Sequence, residues 1–171
     1  MTRRDFGIKW TIYALALVLV LLINLYVLPW CPIFGTIPAL LPVAAVTVAV
    51  LEGPEAGAGF GLAVGVLSDA FIPGTLPGAM TFSLCLLGLA AGAAARYGVR
   101  QSLLGCLLCS AVALTAIDAV RVAGYRLMEL GELPALLGVA IQEILWSLVF
   151  TPFIYLIFRW VHRRVPRASL L

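Results

Sequence analysis

The sequence predicts an all-α integral membrane protein, a bundle of six transmembrane helices, and three observations lead there. Of the 171 residues, 63% are apolar and 11% charged, against roughly 25% charged in a soluble domain. The apolar stretches between polar breaks are too long and too uniform for the core helices of a soluble protein. Finally, six spans of about 20 residues use nearly the whole chain, which predicts a single transmembrane domain over residues 1–171.

The first span is expected at 10–28, ending at Pro29-Trp30-Cys31-Pro32. Its apolar run exceeds the 7–15 residues of a signal core and no small-x-small site follows, so it is expected to stay uncleaved. The second, at 37–51, is short and has Pro38 and Pro42 near its start. Such a segment is either bent or buries irregular backbone against its neighbours. A tight turn at Glu52-Gly53-Pro54-Glu55 leads to the third span, 56–72, which stops at the Gly/Pro-rich loop 73–78. The fourth is expected at 79–95, followed by a short loop with Arg96 and Arg100. The fifth is expected at 102–123. The sixth, 134–158, begins on Pro134, a residue suited to the first turn of a helix.

Charge placement sets the orientation. With the N-terminus cytoplasmic, that side carries Arg3, Arg4, Lys9, Arg96, Arg100, Arg159, Arg163, Arg164 and Arg167, while the other carries Arg121 and Arg126. Both termini are therefore expected in the cytoplasm, as short tails. Trp10, Trp30 and Trp160 fall at span ends, as an aromatic belt requires. The net charge of +3 is gathered at the ends and one loop, which gives no basic face for nucleic acid.

Two patterns stand out. Gly53, Gly57, Gly61 and Gly65 are spaced by four along the third span, and Gly88 and Gly92 repeat the spacing on the fourth. Lipid supplies no hydrophobic drive between helices, so small residues that admit close backbone approach provide the packing. The ladder serves either packing within the bundle or a groove for another protein's helix. The second pattern is a set of polar residues toward the non-cytoplasmic end: Asn24, Asp69, Asp118, Arg121 and Glu143. Facing lipid, each charge would cost up to about 2.5–3.5 kcal/mol, so all are expected to face inward. Asp118 and Arg121 are three apart and can bond, which leaves Asp69 and Glu143 competing for Arg121. The cluster is either a structural knot or a contact for a ligand, ion or partner.

No catalytic, cofactor or metal site is expected. His162 lies among arginines and reads as a solvated or headgroup-facing residue. Ser68-Asp69 has no histidine for nucleophilic work. Cys106 and Cys109 form a C-x-x-C inside a leucine-rich span and read as small packing residues, with no second pair to complete a zinc site. Gly57-Ala58-Gly59-Phe60-Gly61 follows no strand and is not a phosphate loop.

The ordered set Gly53, Pro54, Gly57, Gly61, Gly65, Asp69, Gly74 and Gly78 resembles the MreD family of bacterial rod shape-determining membrane proteins. Gly88-Leu89-Ala90-Ala91-Gly92 is similar to the family as well. The specific likeness covers about 45 residues. It implies a non-enzymatic scaffold and regulator of cell-wall elongation in the bacterial inner membrane. It also implies partners: a bitopic MreC-like protein, an MreB-type filament, and peptidoglycan synthases of the RodA and penicillin-binding type. The family is similar in fold to the S-components of energy-coupling-factor vitamin transporters, which supplies an alternative function, substrate binding for uptake. Against it, Ala14 and Ala16 of the first span are two apart and do not form an Ala-x-x-x-Ala docking ridge.

Overall fold

A computed structural model describes residues 3–30, 36–71, 78–97, 102–129 and 133–164. The described residues are helical almost throughout and include no strand. Helix α1 (Arg3–Leu22) continues into a π-helical turn, Ile23–Val27, and a 3-10 turn, Leu28–Trp30. It is followed by α2 (Leu40–Glu52), α3 (Pro54–Phe71), α4 (Ala79–Tyr97), α5 (Leu103–Leu127) and α6 (Leu133–Arg164). The helices coincide with the six apolar stretches of the sequence, and the differences lie at their ends. α1, α4, α5 and α6 run past the apolar limits because backbone hydrogen bonding, unlike solvation of side chains, continues into polar residues. Four segments are long and apolar enough to cross a membrane: Trp10–Trp30, Ala79–Tyr97, Leu103–Leu127 and Leu133–His162. α2 is shorter, and α3 is diluted by glycine and carries Glu55 and Asp69.

The organising element is α2. Every residue from Leu40 to Leu51 is buried, with α1, α3, α4, α5 and α6 all packed around it. At 1.5 Å per residue its 13 residues span about 20 Å, so it is a short central post and not a lipid-facing helix. Its neighbours turn single stripes toward it. α1 buries Tyr13, Leu17, Val20 and Leu21 at helical spacing and its π-helical extension buries Asn24, while α6 buries Ser147, Thr151, Ile154, Tyr155 and Phe158. The opposite faces show Leu15, Leu19, Leu145 and Phe153 to the surroundings, which suits lipid.

The start of α2 explains its two prolines. Pro38 disfavours the α region for Ile37 before it, and the helix starts only at Leu40. Pro42 is the third residue of α2, where its missing N–H has no intrahelical partner to lose. Side chains satisfy the irregular backbone ahead of it: Asn24 Nδ2 donates to the Pro38 carbonyl at 3.2 Å, and the Ala39 N–H donates to Ser147 Oγ at 2.8 Å. Buried irregular backbone, the second of the two options for this segment, is what the chain adopts.

Candidate functional site

The Gly-Pro turn and the glycine ladder form one piece of machinery. Gly53 has φ +102°, a conformation suited to glycine. Its N–H bonds the Ala49 carbonyl to finish α2, and its own carbonyl accepts from Gly57 N–H to begin α3, both at 2.9 Å. Pro54 is the first residue of α3, a position that needs no N–H. A single residue thus joins the two helices. The ladder then presses on α4: a Cβ on Gly57 would lie 2.5 Å from the Gly88 carbonyl oxygen, and one on Gly92 2.5 Å from Pro54 Cα. At Gly61 and Gly65 a Cβ would collide with the backbones of Leu84 and Thr81. The face bearing Gly57, Gly61 and Gly65 is therefore occupied by α4 of the same chain, which leaves no groove there for a foreign helix.

Asp69 belongs to this unit and not to the Arg121 cluster, a correction to the expectation that it competes for that guanidinium. Its Oδ2 accepts from the Thr81 N–H at 3.0 Å and the Thr81 hydroxyl at 2.6 Å. Thr81 is the third residue of α4, and the residue that would ordinarily cap this end is Gly78, with φ +81° and no side chain. α3 thus caps α4 from outside, with negative charge at a helix N-terminus where the dipole favours it. Asp69→Ala is expected to lower stability by about 1 kcal/mol, read by thermal unfolding in detergent, with Asp69→Asn in between. Gly74 and Cys31 lie outside the described residues.

At the same end of the bundle, Arg121 on α5 is held chiefly by Glu143 on α6, whose two oxygens lie 2.9 Å from Nη1. Asp118 Oδ1 is a third partner at 3.2 Å, and Asp118 Oδ2 has none among the described residues. Loss of Asp118 therefore does not strand Arg121, because Glu143 remains. Glu143→Leu should cost about 2–3 kcal/mol. That is below the ~3–5 of a broken fully buried pair, because the Arg121 side chain is 39% accessible and Asp118 still faces it. Asp118→Asn should cost less than half as much, and equal melting losses for the two variants would contradict this ranking.

Three of the five polar residues meet around one space. A cavity of about 460 Å³ is lined by Asn24, Arg121 and Glu143, with Ser68 of α3 and an apolar majority including Leu25, Leu41 and Met80. The π-helical turn holds Asn24 there; such turns are frequent at functional sites.

A second polar knot, not expected from sequence, closes the opposite end. Glu52, the last residue of α2, accepts the Tyr13 hydroxyl at 2.7 Å and lies 2.7 Å from His162 Nδ1. His162 is consequently not solvated: its side chain is 14% accessible, and that of Glu52 13%. The cause is the continuation of α6 beyond Phe158, which carries His162 onto the stripe of Tyr155 and Phe158. An aromatic floor lies beneath. Tyr13 stacks on Phe158 at 5.9 Å, and Phe60 meets both rings edge-on. The readable signal was the i, i+3, i+7 spacing of Tyr155, Phe158 and His162.

Cys106 is fully buried with its sulfur 3.4 Å from Thr47 Oγ1 of α2, and Cys109 faces the shallow α4–α5 groove beside Ala94 and Ala113. Both are free thiols.

No family model matches the chain, and no curated protein matches it. The functional reading therefore rests on geometry and on the motif resemblance.

Proposed function

We propose that the chain is a non-enzymatic, MreD-like scaffold of the bacterial cell-elongation machinery, crossing the inner membrane six times with both termini cytoplasmic. The observation that carries this reading is that the described residues of the resemblance motif form one packed unit. Gly53 and Pro54 make the turn, Gly57, Gly61 and Gly65 seat α3 on α4, and Asp69 caps α4 just after Gly78. Each of these residues fixes backbone. A motif devoted to shape suits a protein whose task is to hold others in position.

The six crossings count α2 and α3 with the four long helices, and the nine basic residues against two set the orientation. Partner helices of the MreC-like and RodA-type proteins would dock on the outer faces, of which α6 is the most open: Leu137, Ile141, Leu145, Val149 and Phe153 are all exposed along it.

Depletion in the native bacterium tests the proposal. Loss of rod form, or in a non-rod cell co-purification with the MreC-like protein in detergent, is the expected result. Normal shape with failure to take up one vitamin would replace this reading with the transporter S-component.

A further inference from the structure

We propose that the cavity bounded by the π-helical turn of α1, the end of α3, α5 and α6 is a binding site for an uncharged amphipathic molecule. Its head would carry hydroxyl or carbonyl groups, and its body would be apolar. The inference stands apart from the scaffold reading, since a shape-holding protein needs no such site.

Volume comes first. About 460 Å³ falls within the 300–1,000 Å³ of small-molecule sites, and most of the wall is apolar, with Leu25, Leu41 and Met80 contributing. Mostly apolar walls with a few convergent polar groups are the usual composition of such sites.

Three polar groups then define the head. Ser68 is 3% exposed and lines the cavity, and its hydroxyl has no hydrogen-bond partner among the described residues. A buried hydroxyl is ordinarily bonded, and one left unmade is costly. Arg121 spends a single nitrogen, Nη1, on all three carboxylate contacts. Its Nη2 and Nε make no hydrogen bond to the described residues and remain as donors for an acceptor on the ligand. Asn24 is 7% exposed and holds the rim segment through the Pro38 carbonyl.

Charge balance decides the class. The one guanidinium faces two carboxylates, Glu143 and Asp118, so the site has no net positive charge to offer a phosphate or carboxylate. The donors on Arg121 and Ser68 call for neutral acceptors. Two sources share this chemistry, a glycerolipid with an uncharged head entering from the bilayer and a small alcohol or amide entering from water.

The test uses the full chain in phosphatidylcholine nanodiscs. The probe is a monoacylglycerol with a photoactivatable group in its acyl chain, beside a phosphatidic acid carrying the same chain. The uncharged probe should label residues 24–30, 36–42, 68–71, 78–80 and 139–143 saturably, and the anionic probe about tenfold less. Ser68→Ala should reduce labelling about three- to tenfold without lowering the melting temperature, because the hydroxyl it removes has no protein partner. Val139→Trp, at the exposed rim, should block it, whereas Leu108→Trp on the far lipid-facing side should not. Competition by water-soluble hexylglycerol identifies an aqueous source, and its absence a bilayer source; either result with saturable labelling supports the site. Labelling that follows lipid exposure without saturating, or that ignores both Ser68→Ala and Val139→Trp, overturns the proposal. Equal labelling by the anionic probe overturns the charge class.

Discussion

Gly61→Leu is expected to prevent α3 from docking on α4 and to lower stability by ~3 kcal/mol or more, the upper end of overpacking costs. The reason lies in what the new side chain meets. A Cβ at this position collides with the carbonyl of Leu84, a backbone group locked inside α4 that cannot rotate aside as a flexible side chain could. α4 would have to move bodily, and Gly88 and Gly92 would be drawn away from Gly57 and Pro54. The control is internal. Gly59 is exposed, and a Cβ there meets nothing within 4 Å, so Gly59→Ala should raise stability by up to about 1 kcal/mol through helix propensity alone. Thermal unfolding in detergent compares the two. Similar melting of the Gly61→Leu variant and the native chain would remove the packing role of the ladder.

Glu52→Leu is expected to be nearly as damaging, at about 2–4 kcal/mol, because it orphans two donors at once. The Tyr13 hydroxyl belongs to a side chain that is 1% exposed, stacked on Phe158 and unable to turn toward water. His162 loses its carboxylate at the same stroke, and the junction of α1, α2 and α6 opens. Tyr13→Phe should cost only about 1 kcal/mol, since Glu52 keeps His162 and the ring stack survives. A double-mutant cycle between the two positions measures their coupling. A Glu52→Leu protein within ~0.5 kcal/mol of wild type would show that the knot adds nothing to stability.

Some of this architecture was legible from the residues, and the pattern of success has a physical cause. Glycine spacing is informative in lipid because close approach is the main source of helix affinity there, so Gly57 and Gly61, like Gly88 and Gly92, pointed to closely packed faces, though not to each other. Burial was not legible. α2, wholly enclosed, and α4, which exposes Phe82, Leu86 and Leu89, are both runs of apolar residues, and leucine or valine serves equally well against protein or acyl chains. Polar residues revealed their depth but not their direction. Asp69 and Arg121 were both placed near one end, yet the former reaches across to Thr81 of the next helix. Nothing in the spacing of one helix reports the register of another. Asn24 faces inward as its polarity requires, but apolar periodicity does not announce the π-helical turn that carries it. His162 was misread because a basic neighbourhood in sequence is not a basic neighbourhood in space once a helix continues through it.

The enclosed post at the centre has a consequence for biosynthesis. Of the five helices that wall it in, only α1 is made before it, and α3 to α6 emerge later. Until the last of them arrives, the Ala39 N–H lacks the Ser147 oxygen that satisfies it. The nascent chain must therefore hold an incomplete assembly open while translation proceeds. Chains cut short before α6 would be natural targets for membrane quality-control proteases, however well their earlier segments had inserted.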